Sequence, residues 1–306
     1  MDSIPPTLIH DSMRYWLLRP DARLRPAIRC YFVVDAGGSP YYRNELLLPD
    51  GYAELVFAFD AGFERWGVGE QTERTAMNRS YLIGGRSHSV LTSGAKRLRL
   101  VGVKLDPRML RRLIVAPLGE FRDSTLALRD LNNKPLLSLE DAVGGCKSVA
   151  EIARTLNRFF LRQSSGASAH DGLIDYVLQR IQAERGMGSI TQLAREFDID
   201  ARTLERRFLA WLGMTPKKYA RIVRFKHSYH RLIASPHREA EGFHLDGYYD
   251  QSHFNKEFKY FTGMAPSTLI AARTPSSTAV TDHLLRSDLS PASLSSSERL
   301  LAAAGL

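Results

Sequence analysis

The chain has 306 residues, 44% hydrophobic and 9% aromatic, which is enough for about two domains with apolar cores. No apolar run approaches the roughly 18 residues that a membrane-spanning helix needs, and the N-terminus lacks the basic and apolar parts of a secretory signal. We therefore expect a cytoplasmic protein without membrane contact. Two cysteines exclude a disulfide framework. A net charge of +9 favours a polyanionic partner, but the excess is spread along the chain and does not locate one.

Residues 1–147 are predicted to form mainly short strands separated by turns, because β-branched, aromatic and alternating segments recur there. The predicted strands are 30–34, 45–48, 53–59, 79–83, 89–91 and 98–105. Asp106 followed by Pro107 predicts the cap and first position of a short helix over 108–114. Many short strands with few helices are typical of a small barrel or sandwich.

Domain boundaries follow from the next segments. Ser148 and Glu151 form a capping box that begins a helix ending near Arg162, and residues 164–169 then have linker composition. We predict an α+β protein with a β-rich sensor or dimerisation domain over 1–163, a linker over 164–172 and an all-α domain over 173–273. Residues 274–306, rich in Ser, Ala and Pro, are predicted to be a disordered tail.

The helical part contains an internal repeat. Residues 204–208 (Leu-Glu-Arg-Arg-Phe) are followed by Gly213-Met214-Thr215-Pro216, and fifty residues later 254–258 (Phe-Asn-Lys-Glu-Phe) are followed by Gly263-Met264-Ala265-Pro266. Two copies are fewer than the roughly three that a stacked array needs. The repeat therefore predicts two similar compact subdomains.

Each copy has the pattern of a helix-turn-helix. In the first, Ser189 caps a short helix whose apolar stripe is Ile190, Leu193, Ala194 and Phe197. Asp200 then caps a second helix, which buries Leu204, Phe208 and either Trp211 or Leu212. In the second copy, Gly247 supplies the turn and Asp250 the cap, and Phe254, Phe258 and Phe261 are buried. Ala194 is small where the two short helices must cross.

The opposite faces of these helices carry the candidates for contacts to base edges, because Arg, Asn and Gln can bond bases bidentately. One such face alone would be interpreted as an ordinary solvated surface, whereas two such faces in the same register favour two helices that contact base edges. The candidates are Arg202, Glu205, Arg206, Gln251, Ser252, Asn255 and Lys256.

With these residues the sequence resembles the AraC/XylS family of transcription regulators. The resemblance covers about Asp171 to Ala272, and its most specific part runs from Gly247 through Phe254 to Lys259. It implies two helix-turn-helix units joined by a long helix, with their recognition helices in successive major grooves of double-stranded DNA. By resemblance, 216–234 is the connecting helix, and Thr215 as cap with Pro216 at the first position independently supports a helix start there.

Basic residues near the start of that helix, and one on the last predicted helix, are candidates for phosphate contacts. They are Lys217, Lys218, Arg221, Arg224 and Lys259. One departure from the family lies ahead of Gly247, where Gly242 and Phe243 replace an apolar residue followed by alanine. This predicts a shifted or loosened second unit, so we expect more of the base contacts from the first.

The N-terminal half is similar to the cupin-like sensor domains of the same family, through Leu48-Pro49-Asp50-Gly51 and the strand that follows. Aromatic residues there are either core or the lining of an effector pocket. The pocket candidates are Tyr31, Tyr52, Phe57, Phe59 and Trp66.

The favoured function is a sequence-specific, DNA-binding transcription regulator, not an enzyme, that responds to a small-molecule effector through its N-terminal domain. RNA polymerase and a second copy of the chain are considered as further partners. The alternative is a cupin-class metal-dependent enzyme with an accessory helical domain. That alternative needs clustered His and carboxylate ligands, whereas the β-rich half offers only His10 and His88, without a His-x-His pair. We therefore expect no metal and no cofactor.

Overall fold

Antiparallel strands dominate the first half of the chain in the computed structural model, which describes residues 8–10, 13–37, 45–60, 62–68, 74–77, 79–94, 97–114, 118–164, 171–234 and 247–272. The strands are β1 (Leu8–His10), β2 (Met13–Leu18), β3 (Ile28–Gly37), β4 (Glu45–Leu47), β5 (Ala53–Ala58), β6 (Phe63–Gly67), β7 (Thr75–Met77), β8 (Tyr81–Ile83), β9 (Val90–Gly94), β10 (Arg97–Leu105) and β11 (Thr125–Ala127). They form two sheets, with the orders β1-β2-β3-β10-β5-β8-β11 and β4-β9-β6-β7.

The two sheets pack face to face as a sandwich. The alternation along β10 shows this: Leu98 and Leu100 share an apolar cluster with Phe63 of the smaller sheet, whereas Val101 and Val103 face a cluster on the other side of the large sheet. The prediction of an α+β protein with a β-rich N-terminal domain is therefore confirmed, in its sandwich form.

Helices cover the outer face of the large sheet. They are α1 (Pro107–Leu113), α2 (Lys134–Gly144) and α3 (Val149–Ser164). The Asp106 side chain accepts the N–H of Arg108 at 2.9 Å, as the sequence predicts for the start of α1. At α3, the Ser148 hydroxyl accepts the N–H of Glu151 at 3.2 Å, while the Glu151 carboxylate reaches one residue further back to the N–H of Lys147 at 2.7 Å.

The second half of the chain is helical. Its helices are α4 (Gly172–Ala183), α5 (Ile190–Arg195), α6 (Ala201–Leu212), α7 (Pro216–Ala234), α8 (Gln251–Thr262) and α9 (Pro266–Ala272). The departure at Gly242 and Phe243, the linker residues 165–170 and the predicted tail from 274 lie outside the described residues.

One of the apolar clusters contains residues from both halves of the chain. Leu46 and Leu48 of the β-rich domain belong to the same buried cluster as Phe225 and Phe258 of the helical domain. The two halves also approach each other closely at Gly51, where an added Cβ would lie 2.9 Å from the ring of Tyr219 on α7. Gly51 has a φ of 82°, which glycine adopts without strain. The β-rich domain therefore lies directly against the helical domain.

A group of buried charges borders this junction. Asp50, Glu54, Arg86 and Lys104 are all at most 6% exposed. The Lys104 ammonium donates to Asp50, and Arg86 donates to Glu54 at 2.6 Å. Burial by itself would raise the pKa of Asp50, but Lys104, then Lys226 on α7, then Arg86 together hold that pKa below its usual value. Asp50 thus links the sandwich electrostatically to the helical domain.

Asp50→Asn should destabilise the protein at pH 7, by about 3–5 kcal/mol if it behaves like other broken buried pairs. Because the pKa of Asp50 is depressed in the folded state, its carboxylate stabilises the fold above the unfolded pKa of about 3.9, and this contribution is lost as the pH falls below that value. The difference in the free energy of unfolding between parent and variant, measured by urea unfolding, should therefore be smaller at pH 3 than at pH 7. A difference that is the same at both pH values would contradict a depressed pKa of Asp50. Asp141→Asn, at an exposed position on α2, serves as the control.

Candidate nucleic-acid interface

The first helix-turn-helix consists of α5 and α6. The Ser189 hydroxyl accepts the N–H of Gln192 at 3.3 Å at the start of α5, and Asp200 accepts the N–H of Thr203 at 2.7 Å at the start of α6. Ala194, 1% exposed, lies in the shared core with Leu204. Both predicted caps are therefore present. Phe197 corrects the sequence analysis: it lies beyond the end of α5 and is 38% exposed, so it is not part of the buried stripe.

The face of α6 opposite its buried side chains is polar and exposed to solvent. Leu204 and Phe208 are fully buried, so Arg202, Glu205 and Arg206 are exposed on the other side, where none of them has an ion-pair partner among the described residues. The neighbouring Arg207 differs, since its guanidinium donates to Asp171 at 2.8 Å. Arg207 was not among the predicted base-contact residues, and the structure shows its guanidinium paired with Asp171.

The second unit presents α8 in the same way. Asp250 accepts the N–H of His253 at 2.7 Å, and Phe254, Phe258 and Phe261 are at most 1% exposed. The predicted contact residues are all exposed on the opposite side of the helix, at Gln251, Ser252, Asn255, Lys256 and Lys259.

The left-handed residue and the helix cap that follows it are spaced differently in the two units. In the first, the left-handed residue Asp198 (φ 51°) lies two positions before the cap Asp200, whereas in the second Gly247 (φ 75°) lies three positions before Asp250. The second turn includes Tyr249, which is 86% exposed. The sequence analysis gave Tyr249 no separate role, although the sequence shows that Asp200 follows Asp198 by two positions and Asp250 follows Gly247 by three.

The basic residues of α7 divide into two groups. Lys217 is exposed, and the N–H of Lys218 donates to the predicted cap Thr215 at 3.2 Å. The Lys218 ammonium also donates to the Tyr260 hydroxyl and lies 4.8 Å from the centre of that ring. Lys218 therefore contacts α8 while its neighbour Lys217 faces outward.

Arg221 and Arg224 hold the second unit on α7. Arg221 donates to both carboxylate oxygens of Glu257, at 2.9 and 2.7 Å, and Arg224 donates to the carbonyl of Gly247 at 3.4 Å while lying 5.1 Å from the ring centre of Tyr248. Bidentate pairs of this kind position both partners. Both guanidinium groups are therefore engaged inside the domain, and the contact of these two arginines with phosphates stays a prediction.

The predicted effector-pocket residues lie in three separate places. Tyr31 and Phe57 are fully buried under the helices of the β-rich domain, where the Tyr31 hydroxyl donates to Asn157 at 3.0 Å, and Phe59 packs against the same cluster. Trp66 lies under Arg74 on the smaller sheet, and Tyr52 lies near Lys226 of α7. The structure thus gives Tyr31 and Phe57 the core role that the sequence analysis left as the other option.

A separate pocket of about 840 Å³ lies between α1, the start of α2 and the end of α3. Its walls include Leu113, Phe121 and Phe159, with Arg112 and Asn133 among the polar groups, and none of the five predicted residues lines it. In the part of the chain that the structure describes, no group of three His, Cys, Asp or Glu side chains is arranged to hold a metal ion. No described helix combines the length and apolar character needed to cross a bilayer.

A capped helix-turn-helix (α5 and α6), together with a second capped helix of the same pattern (α8) packed on the other part of α7, is typical of a class of DNA-binding domain, and comparison with known proteins agrees. Residues 193–272 match the family described as Helix-turn-helix domain, and residues 17–127 match Domain of unknown function (DUF6597). The HTH-type transcriptional activator RhaS of Pectobacterium carotovorum is 30% identical over 112 residues, which cover 36% of this chain and 39% of the relative. The chain thus spans well under half of that relative's length. These matches support the resemblance to the AraC/XylS family, with a β-rich domain ahead of the helix-turn-helix part.

Solved structures show only distant likeness. ToxT from Vibrio cholerae O395 is 13% identical with a TM-score of 0.41, covering 85% of this chain and 97% of ToxT. Vicilin from Solanum lycopersicum is 16% identical with a TM-score of 0.28, covering 34% of this chain and 30% of vicilin. Likeness at this level carries no conclusion about a ligand or an activity.

Ala194→Leu should destabilise the helical domain by about 1–3 kcal/mol, because three added carbons must fit where α5 packs within a closed core. Urea unfolding measures the change. Gln192→Leu places the same side chain at an exposed position of α5 and should change the free energy of unfolding by no more than about 0.5 kcal/mol. Equal effects of the two substitutions would contradict close packing at Ala194.

Proposed function

We propose that the protein is a sequence-specific transcription regulator that reads double-stranded DNA with α6 and α8. The observation that carries this proposal is the repeated arrangement of the two helices: each is anchored by buried apolar residues and an aspartate cap, and each leaves a polar face exposed. Helices of this type enter the major groove with the residues of their N-terminal half.

Base readout is assigned to the exposed faces. Arg202 and Arg206 match the O6 and N7 acceptors of guanine, Gln251 and Asn255 match adenine, and Glu205 can accept from the N4 amino group of cytosine. Ser252 and Lys256 complete the face of α8. Because Arg202 and Arg206 carry no intramolecular ion pair among the described residues, no existing contact has to be broken before they bind bases.

Phosphate contacts are assigned to Lys217, Lys218 and Lys259. Lys217 and Lys259 are exposed, and all three are near the two recognition helices in the fold. Ammonium groups at such positions neutralise the DNA backbone without reading sequence, which fixes the orientation of the protein on the duplex.

We further propose that the β-rich domain responds to a small-molecule effector and that the protein acts without enzymatic activity in the cytoplasm. The shared core supports this role, because a change in the β-rich domain would be felt directly by α7 and α8. RNA polymerase and a second copy of the chain are proposed as partners on the basis of the family alone.

Arg206→Ala should relax the preference at one or two base pairs of the selected site, with a loss of about 1–3 kcal/mol of discrimination, and leave non-specific affinity nearly unchanged. Binding-site selection from a random duplex library at fixed salt measures the effect. Arg207→Ala, one residue along, is the matched control, since Arg207 is bound to Asp171 and its loss should leave base preference as in the parent. An unchanged preference in folded Arg206→Ala would remove Arg206 from the set of base contacts.

Lys217→Ala should weaken binding to all duplexes by a similar factor and reduce the slope of log K against log salt by about 1, because one fewer counterion is released. Titrations of a selected and a random duplex at several salt concentrations test this. Lys134→Ala, an exposed position on the β-rich domain, should change neither quantity. A loss confined to the selected duplex would show that Lys217 contacts a base.

A further inference from the structure

The β-rich domain contacts both helix-turn-helix units at the same place, the turn that ends the recognition helix. Gly213 and Gly263 end α6 and α8 with φ values of 72° and 77°. A Cβ on Gly213 would lie 2.5 Å from the carbonyl oxygen of Leu118, and one on Gly263 would lie 2.1 Å from Cγ1 of Val68. Two different parts of the β-rich domain therefore lie directly on two equivalent turns.

The same domain also supplies hydrogen-bond donors to the ends of both helices. The last four carbonyls of a helix have no intrahelical donor. At the end of α6, Arg111 of α1 donates to the carbonyl of Ala210 at 3.3 Å and lies 4.4 Å from the ring centre of Trp211. Its positive charge is also favourable at a helix C-terminus.

At the end of α8 the donor is Ser89, in the segment before β9. Its backbone N–H donates to the carbonyl of Phe261 at 3.2 Å, and its hydroxyl donates to the same oxygen. Next to it, the ring of His88 lies 5.0 Å from the ring of Tyr260. Each recognition helix therefore has one of its terminal carbonyls capped by the β-rich domain.

These contacts provide a second connection between the two units. The first is α7, which packs on both α6 and α8. A single helix leaves each unit able to tilt about its contact, whereas a second, separate attachment at each recognition helix removes that freedom. The contacts involve the C-terminal ends of α6 and α8, so the polar faces near their N-termini stay exposed.

We propose that the β-rich domain sets the spacing and relative orientation of the two recognition helices, with Ser89 and Arg111 as positioning residues. This inference rests on the proposed function as a DNA reader. Successive major grooves on one face are about 10 base pairs apart, and each added base pair rotates a half-site by roughly 35° around the duplex. Rigid attachment therefore makes the protein selective for one distance between the two half-sites.

The experiment uses the full chain and a duplex library that holds the two selected half-sites constant and varies the number of base pairs between them. The parent should prefer one spacing sharply. Arg111→Ala removes the donor at α6, and Val68→Glu adds a negative charge beside the carbonyl end of α8, which is unfavourable there. Val68→Glu is used because Ser89→Ala would leave the backbone N–H bond in place.

The double variant Val68→Glu/Arg111→Ala should lose at least about half of the parent's preference for its best spacing over spacings one base pair longer or shorter, with the base preference within each half-site unchanged. Arg112→Ala is the matched control, because Arg112 lies on the same helix but donates to the carbonyl of Gln163 at 3.0 Å. It should retain the parent profile.

The outcomes separate the two proposals. A parent that binds selectively, together with a folded double variant of identical spacing profile, overturns the positioning role and leaves the proposed function standing. A parent without selective binding to either half-site overturns both. Circular dichroism and thermal unfolding confirm that the variants are folded, and a broadened profile in the folded double variant alone supports the inference.

Discussion

The packing of Phe225 is the interaction on which the arrangement of the helical domain depends. Its ring lies fully buried on α7, stacked 4.6 Å from Phe261 and edge-on 5.7 Å from Phe258, so one side chain joins the connecting helix to the second recognition helix. Arg221 and Glu257 form the ion pair at the edge of this contact. This packing determines which face of α8 is buried against α7 and which polar face stays exposed, and the Phe261 carbonyl at the end of the same helix accepts from Ser89.

The arginines of the helical domain show how geometry separates similar side chains. Arg206 and Arg207 are neighbours in the chain and both are exposed, yet Arg207 is paired with Asp171 while Arg206 has no such partner among the described residues. On α7, Lys217 faces outward, whereas Arg221 and Arg224 are bound to the second unit. A positively charged sequence therefore contains two kinds of cation, those that assemble the domain and those that are available to DNA.

The positions of most elements follow from local rules. The strands predicted at 53–59 and 98–105 and the helix caps at Asp106, Ser189, Asp200 and Asp250 are present, because alternation and capping act over only a few residues. The strands β1, β2, β6, β7 and β11 and the helix α2 were not predicted. β1, β7 and β11 have only three residues each, which is too few to show a period, and they are stabilised by pairing with an adjacent strand of the sheet. Phe197 was misplaced for the related reason that its helix ends before it.

The sequence by itself determined the class of protein: a β-rich half, two repeated helix-turn-helix units, their caps, and the polar faces opposite Leu204 and Phe254. These features depend on residues within about one helical turn of each other. Only the tertiary structure decided which of the basic side chains are already paired, that the aromatic residues of the sandwich do not form one pocket, and that the β-rich domain caps the ends of both recognition helices. Each of these depends on contacts between residues far apart in the chain, such as Ser89 and Phe261, and no local pattern encodes which distant group a side chain will meet.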